Sequence, residues 1–209
     1  MHPAVMTLNG WIRKTPVWPF YLIGFIPVGW YVFAAATDQL GPDPVKALEH
    51  GLGKIGLQFL IASLCVTPLL RLTRINLMCF RRMLGLMAFY YVALHFAVYL
   101  LLDLQLDWSV LAKDLTKRPY IIVGTLALLM LIPLALTSTN WAVRKLGSAA
   151  WCRLHMLAYP AVALGAVHYI WLVKSWPFEP LAYCAVVAVL LGYRIARNLR
   201  SRARASATA

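Results

Sequence analysis

Six uncharged, apolar runs decide what this chain can fold into. They lie between Lys14 and Asp38, Lys54 and Arg71, Arg82 and Asp103, Arg118 and Arg144, Arg153 and Lys174, and Glu179 and Arg194. A helix needs about 20 mostly apolar residues to cross the ~30 Å hydrocarbon core of a bilayer. Four runs meet that length comfortably. The second and sixth are shorter, but Lys54, Arg71 and Arg194 can extend their charged heads to the interface. The expected fold is all-α and integral to the membrane, a bundle of six transmembrane helices. The expected spans are 16–37, 53–71, 83–102, 119–138, 151–172 and 177–195. Hydrophobic residues make up 62% of the chain, against ~45–50% in a soluble domain. Residues 1–209 therefore read as one membrane domain with no room for a soluble catalytic one.

The charges orient the bundle. If both termini and the even-numbered loops share a side, that side holds fourteen of the twenty basic residues and none of the seven acids. Lys46, Lys54, Lys113, Lys117, Arg118 and Lys174 lie opposite, with every acid. Basic residues favour the cytoplasmic side, so both termini are expected there. The net charge of +13 thus encodes topology rather than nucleic-acid binding. The first apolar run follows Arg13 and Lys14 and is long enough to span, which reads as an anchor and not a cleaved signal. Trp108, Tyr120, Trp171 and Trp176 are expected interfacial anchors. The tail RNLRSRARASATA reads as a solvated or lipid-touching basic end. Cys65, Cys79, Cys152 and Cys184 form no CxxC pair, which excludes a zinc ribbon and a c-type haem attachment motif.

Of five histidines, His2 and His50 lie outside the spans and read as surface residues. His95, His155 and His168 fall inside them. An ionisable side chain at membrane depth marks a functional site by default. With the third and fifth spans both running outward, His95 and His168 share a leaflet. His155 lies ~20 Å below His168 along the axis. Two facing imidazoles at one depth suit the axial positions of a haem iron, and a bundle interior suits the apolar macrocycle. With both axial positions filled, such a site moves electrons and offers no open coordination position.

His155 is harder to place. On a straight helix it would point about 140° away from His168, although Pro160 and Gly165 could bend that path. The third span has no histidine one haem spacing below His95, only Arg81 and Arg82. One haem is therefore favoured over two, with His155 a further candidate ligand. The two arginines serve equally as topology charges or as bidentate partners for a phosphate or carboxylate. Tyr90, Tyr91, Tyr99, Tyr159 and Tyr169 read chiefly as helix packing beside any cofactor. Thr137, Ser138 and Asn140 sit where a flavin could be hydrogen-bonded.

The stretches RRMLGLMAFYYVALHFAVYL and LALTSTNWAVRKLGSAAWCRLHMLAYPAVALGAVHYIW carry a resemblance. The sequence resembles the ferric-reductase-like transmembrane superfamily along nearly its whole length. Within it, the chain is similar to the haem-binding membrane subunits of the bacterial periplasmic methionine sulfoxide reductase system. The resemblance implies a multi-pass protein of the bacterial inner membrane with b-type haem on His95, His155 and His168, and FMN as a further cofactor. It also implies electron flow from the quinone pool to a periplasmic molybdenum-containing catalytic subunit, MsrP, in a heterodimer. Oxidised periplasmic proteins would be repaired by that partner, so this chain would transfer electrons rather than catalyse. Two other readings stay open. A stand-alone ferric or cupric reductase would reduce chelated metal without a partner. A haem-free transporter or assembly factor would purify colourless.

Overall fold

The computed structural model describes residues 3–173 and 177–207. His2, Lys174 and Trp176, singled out above, lie outside them. Every regular element among the described residues is helical.

The chain opens with α1 (Pro3–Lys14) and α2 (Trp18–Ala36). A 30-residue helix, α3 (Pro44–Thr73), follows. Its first turn is capped by Asp43, whose carboxylate accepts from the Lys46 backbone N–H at 3.1 Å. Next comes α4 (Arg81–Val98), which runs into a π-helical turn over Tyr99–Asp103. Beyond it lie α5 (Trp108–Lys117), α6 (Pro119–Leu136), α7 (Asn140–Leu146) and α8 (Ser148–Leu154). A 3-10 turn over His155–Leu157 leads into α9 (Ala158–Leu172), and α10 (Phe178–Ala207) closes the chain.

Five helices are long and apolar enough to cross a membrane: α2, α3, α4 with its π turn, α6 and α10. The expected fifth span arrives instead in consecutive pieces, α8, the 3-10 turn and α9. Pro160 supplies part of the reason. It has no N–H to give the carbonyl four residues earlier, in the turn at Met156. Alone, α9 has 15 residues, about 22 Å of helix. Two other expectations shift: α3 starts nine residues before the expected 53, and the basic tail stays helical through Ala207. Neither α1 nor α5 was foreseen, because both are amphipathic and carry charges that interrupt the apolar pattern.

Helices α3, α4, α6 and α9 form the centre, with α10 against α9 and α3, and α2 against α3 and α4. The shared core contains Leu57, Leu60 and Leu64 of α3, Ala88 of α4, Leu131 of α6, and Val162 of α9. Small residues at Ala88, Ala161 and Ala166, each no more than 3% exposed, let the backbones approach, as in membrane bundles generally. Large apolar side chains also cover the outside, among them Leu22, Ile26 and Trp30 on α2. Water would penalise that surface, whereas lipid tails accept it.

Candidate functional site

One end of the α3–α4–α6–α9 core opens into a cavity. It holds about 1300 Å³ not filled by protein atoms, including its open mouth. Of this, about 190 Å³ is enclosed enough to compare with a closed binding cavity. Leu57, Val92, Leu128 and Ala161 form apolar wall, and Lys46, Lys54 and Arg118 stand among the lining residues as cations. Each cation is paired: Lys46 with Asp43 at 3.1 Å, Lys54 with Glu179 at 3.0 Å and Arg118 with Asp114 at 3.2 Å. His50, read as a surface residue, is exposed and also lines this cavity.

His95 of α4 and His168 of α9 both line the cavity. Their ring centres are 6.1 Å apart and their planes are inclined at 76°. Two imidazoles holding one metal at ~2.0–2.1 Å per nitrogen would place their ring centres about 6 Å apart, allowing ~1 Å from each centre to its nitrogen. Sequence order could not supply that distance.

The two rings are held in the same way. His95 Nδ1 donates to the Glu49 carbonyl at 2.8 Å, and His168 Nδ1 donates to the Tyr120 carbonyl at 2.7 Å. A carbonyl only accepts, so each Nδ1 carries the proton and each Nε2 keeps its lone pair. That tautomer is the one a metal-binding imidazole needs. Four residues beyond each carbonyl lies a glycine, Gly53 or Gly124. A Cβ at Gly53 would sit 3.0 Å from His95 Nδ1, and one at Gly124 would sit 2.7 Å from His168 Nδ1. Each imidazole thus lies over a bare helix face on a neighbouring helix. Both glycines are visible in the sequence, Gly124 inside an apolar run and Gly53 just ahead of one, but nothing local linked Gly53 to His95 or Gly124 to His168.

No group of three or more His, Cys, Asp or Glu side chains gathers around a point among the described residues. Two imidazoles make no complete metal site unless a macrocycle supplies the remaining nitrogens. The four cysteines are free.

His155 belongs elsewhere. Its ring stacks on Trp151 at 3.8 Å between centres, and its Nε2 lies 3.1 Å from Thr137 Oγ1. The Thr137 hydroxyl proton already goes to the Pro133 carbonyl at 2.6 Å. His155 Nε2 thus has Thr137 Oγ1 as its hydrogen-bond partner, away from the paired rings. Ser138 Oγ donates to the Leu134 carbonyl at 2.6 Å, and Asn140 Oδ1 accepts from Arg82 at 2.8 Å. Arg81 points to a different cavity from the one holding His95 and His168.

The tyrosines divide similarly. Tyr99 and Tyr169 line the histidine cavity, whereas Tyr91 is buried and donates to the Gly24 carbonyl at 2.6 Å. Tyr159 faces Arg194 and Tyr90 is 40% exposed. Tyr99 Oη also donates to Asp114 Oδ2 at 2.8 Å, and Asp114 is 7% exposed. This pair, with Arg118, fastens α5 beside the cavity mouth. Asp114→Ala is expected to lower stability by about 1–3 kcal/mol by stranding Tyr99. Thermal unfolding in detergent measures the loss.

The comparisons with known proteins agree on one relationship. Residues 51–166 match the family model described as ferric reductase like transmembrane component. A Brucella ovis protein described as the protein-methionine-sulfoxide reductase heme-binding subunit MsrQ is 50% identical over 197 residues, covering 91% of this chain and 89% of the relative. Proteins of the same description from Brucella canis and Brucella suis match at the same identity and coverage.

Proposed function

This chain belongs to the ferric-reductase-like transmembrane family, among its MsrQ members, and from that membership we propose a haem-binding electron conduit. One observation carries the proposal: His95 and His168 stand 6.1 Å apart, each with Nδ1 tied to a backbone carbonyl. Haem b bound there would accept and release one electron at a time, with no coordination position left for substrate. The chain's own residues would do the rest. His95 and His168 would present their Nε2 atoms, Gly53 and Gly124 would leave the rings room, and the apolar wall would exclude water.

The wider reading is of residues 1–209 as one domain with six crossings. The sixth crossing comes from α8, the 3-10 turn and α9 taken together, and the charge distribution supports cytoplasmic termini. The membrane is then the bacterial inner membrane, and the histidine cavity opens on its periplasmic side. Electrons would enter from quinol and leave to a periplasmic molybdenum-containing subunit, MsrP, that reduces methionine sulfoxide. This chain would be the electron-transfer subunit, and the partner would be the catalytic one. FMN is carried by the resemblance.

A reduced-minus-oxidised spectrum with a pyridine haemochrome count tests the proposal. One low-spin b-type haem per chain is expected, unaffected by carbon monoxide. A colourless protein, or a carbon-monoxide-binding haem, overturns it. His155→Ala is expected to keep most of that haem, since its Nε2 already serves Thr137; a loss equal to that of His95→Ala would restore His155 as a ligand.

A further inference from the structure

At the basic end of the bundle a buried charge has no opposite charge beside it among the described residues. Arg194, on α10, is 9% exposed. Its Nη1 donates to Tyr159 Oη at 2.7 Å and its Nη2 to the Leu64 carbonyl at 2.9 Å. The guanidinium lies 4.9 Å from the centre of the Tyr159 ring. Its Nε is buried and has no hydrogen-bond partner. These neighbours satisfy donors, yet all are neutral.

Among the described residues no side-chain carboxylate pairs with it. The chain has seven acids, and the one on α10, Glu179, stands fifteen residues from Arg194, about 22 Å along the helix. Glu49 precedes Leu64 on α3 by the same fifteen residues. Basic neighbours make the deficit worse, because Arg81 and Arg197 share a cavity with Arg194. Buried charges are normally met by an opposite charge.

That cavity holds about 950 Å³ of unfilled space, including its mouth, between α3, the start of α4, α9 and α10. Arg81, Arg197 and Asn198 line it beside Arg194, while Leu191 and Ile195 give it apolar wall. Arg81 is the first residue of α4, so the positive end of that helix dipole adds to the arginines. Three guanidinium groups around one cavity match an oxyanion that accepts several hydrogen bonds. Ile195 is 62% exposed on the apolar outside of the bundle. A ligand with a charged head could enter from there and lay its tails along α10.

We propose that this cavity binds a phosphate group, the counter-charge that Arg194 lacks, and that an anionic phospholipid headgroup supplies it. The inference is independent of the haem reading, since it uses none of the residues around His95 and His168. Basic pockets between membrane helices commonly take such headgroups.

The full chain reconstituted in bilayer nanodiscs tests it. Phosphatidylglycerol, whose phosphate charge is uncompensated, is compared with phosphatidylcholine, and inorganic phosphate is added to the phosphatidylcholine sample. Native mass spectrometry is expected to retain one phosphatidylglycerol per chain, and that lipid is expected to raise the unfolding temperature. Arg194→Gln should lower the retention about tenfold. Arg197→Gln, at the half-buried rim, should lower it too and serves if the first variant does not fold. Stabilisation by inorganic phosphate equal to that by phosphatidylglycerol supports the phosphate site and moves its source to solution. Indifference to both, or full lipid retention by the Arg197→Gln variant and by any folded Arg194→Gln variant, overturns the proposal.

Discussion

His95→Ala and His168→Ala are each expected to strip the protein of its low-spin haem spectrum. The reason is geometric. At 6.1 Å between ring centres, neither imidazole can grip an iron alone as the pair can. His50 lines the same cavity but is exposed and is not stacked with either ring. Loss of a partner that merely supports a metal ligand typically costs ~10–100-fold in affinity. Loss of the ligand itself should cost at least that much. Haem per chain, measured by pyridine haemochrome, would fall accordingly. A full low-spin spectrum in His95→Ala would remove the foundation of the electron-transfer reading.

The second large effect comes from residues with no side chain. Gly124→Ala places a methyl group 2.7 Å from His168 Nδ1, and Gly53→Ala places one 3.0 Å from His95 Nδ1. The first distance is shorter than real Cβ contacts allow, so the His168 ring must move off the Tyr120 carbonyl. Gly53→Ala leaves a tight fit that a shift of a few tenths of an ångström relieves. Gly124→Ala is therefore expected to reduce haem occupancy about tenfold, within the range for a lost supporting partner. Gly53→Ala should reduce it less. Alanine favours helix over glycine by ~0.5–1 kcal/mol, so helical content should hold in both variants. A drop in haem with unchanged circular dichroism separates ring displacement from unfolding. Equal haem content in Gly124→Ala and the unaltered protein would show that the ring does not need that space.

Much of the architecture was legible because a bilayer reads sequence in one dimension. Apolar length marks a crossing and basic residues mark a side, and neither needs a tertiary partner. Boundaries were less legible where other forces compete. The expected start of α3 at residue 53 was set by the charge at Lys54, yet the helix begins at Pro44, where the Asp43 cap supplies the start. The expected fifth span looked continuous in hydropathy, while Pro160 and the turn at His155 break its hydrogen-bond ladder. The amphipathic α5 was hidden because its Asp114 reads as loop charge, although Tyr99 and Arg118 hold it inside.

By itself the sequence determined that this chain is helical and membrane-embedded, and that few ionisable groups enter the apolar runs. Those are properties of composition along a line, fixed by the cost of moving charge and unpaired backbone into hydrocarbon. Only the tertiary structure decided that His95 and His168 meet while His155 turns to Thr137, and that Gly53 and Gly124 make room beneath the paired rings. It likewise decided that Arg194 is enclosed without an acid. Each of those outcomes depends on how helices distant in sequence rotate and pack against one another, and no local pattern carries that rotation.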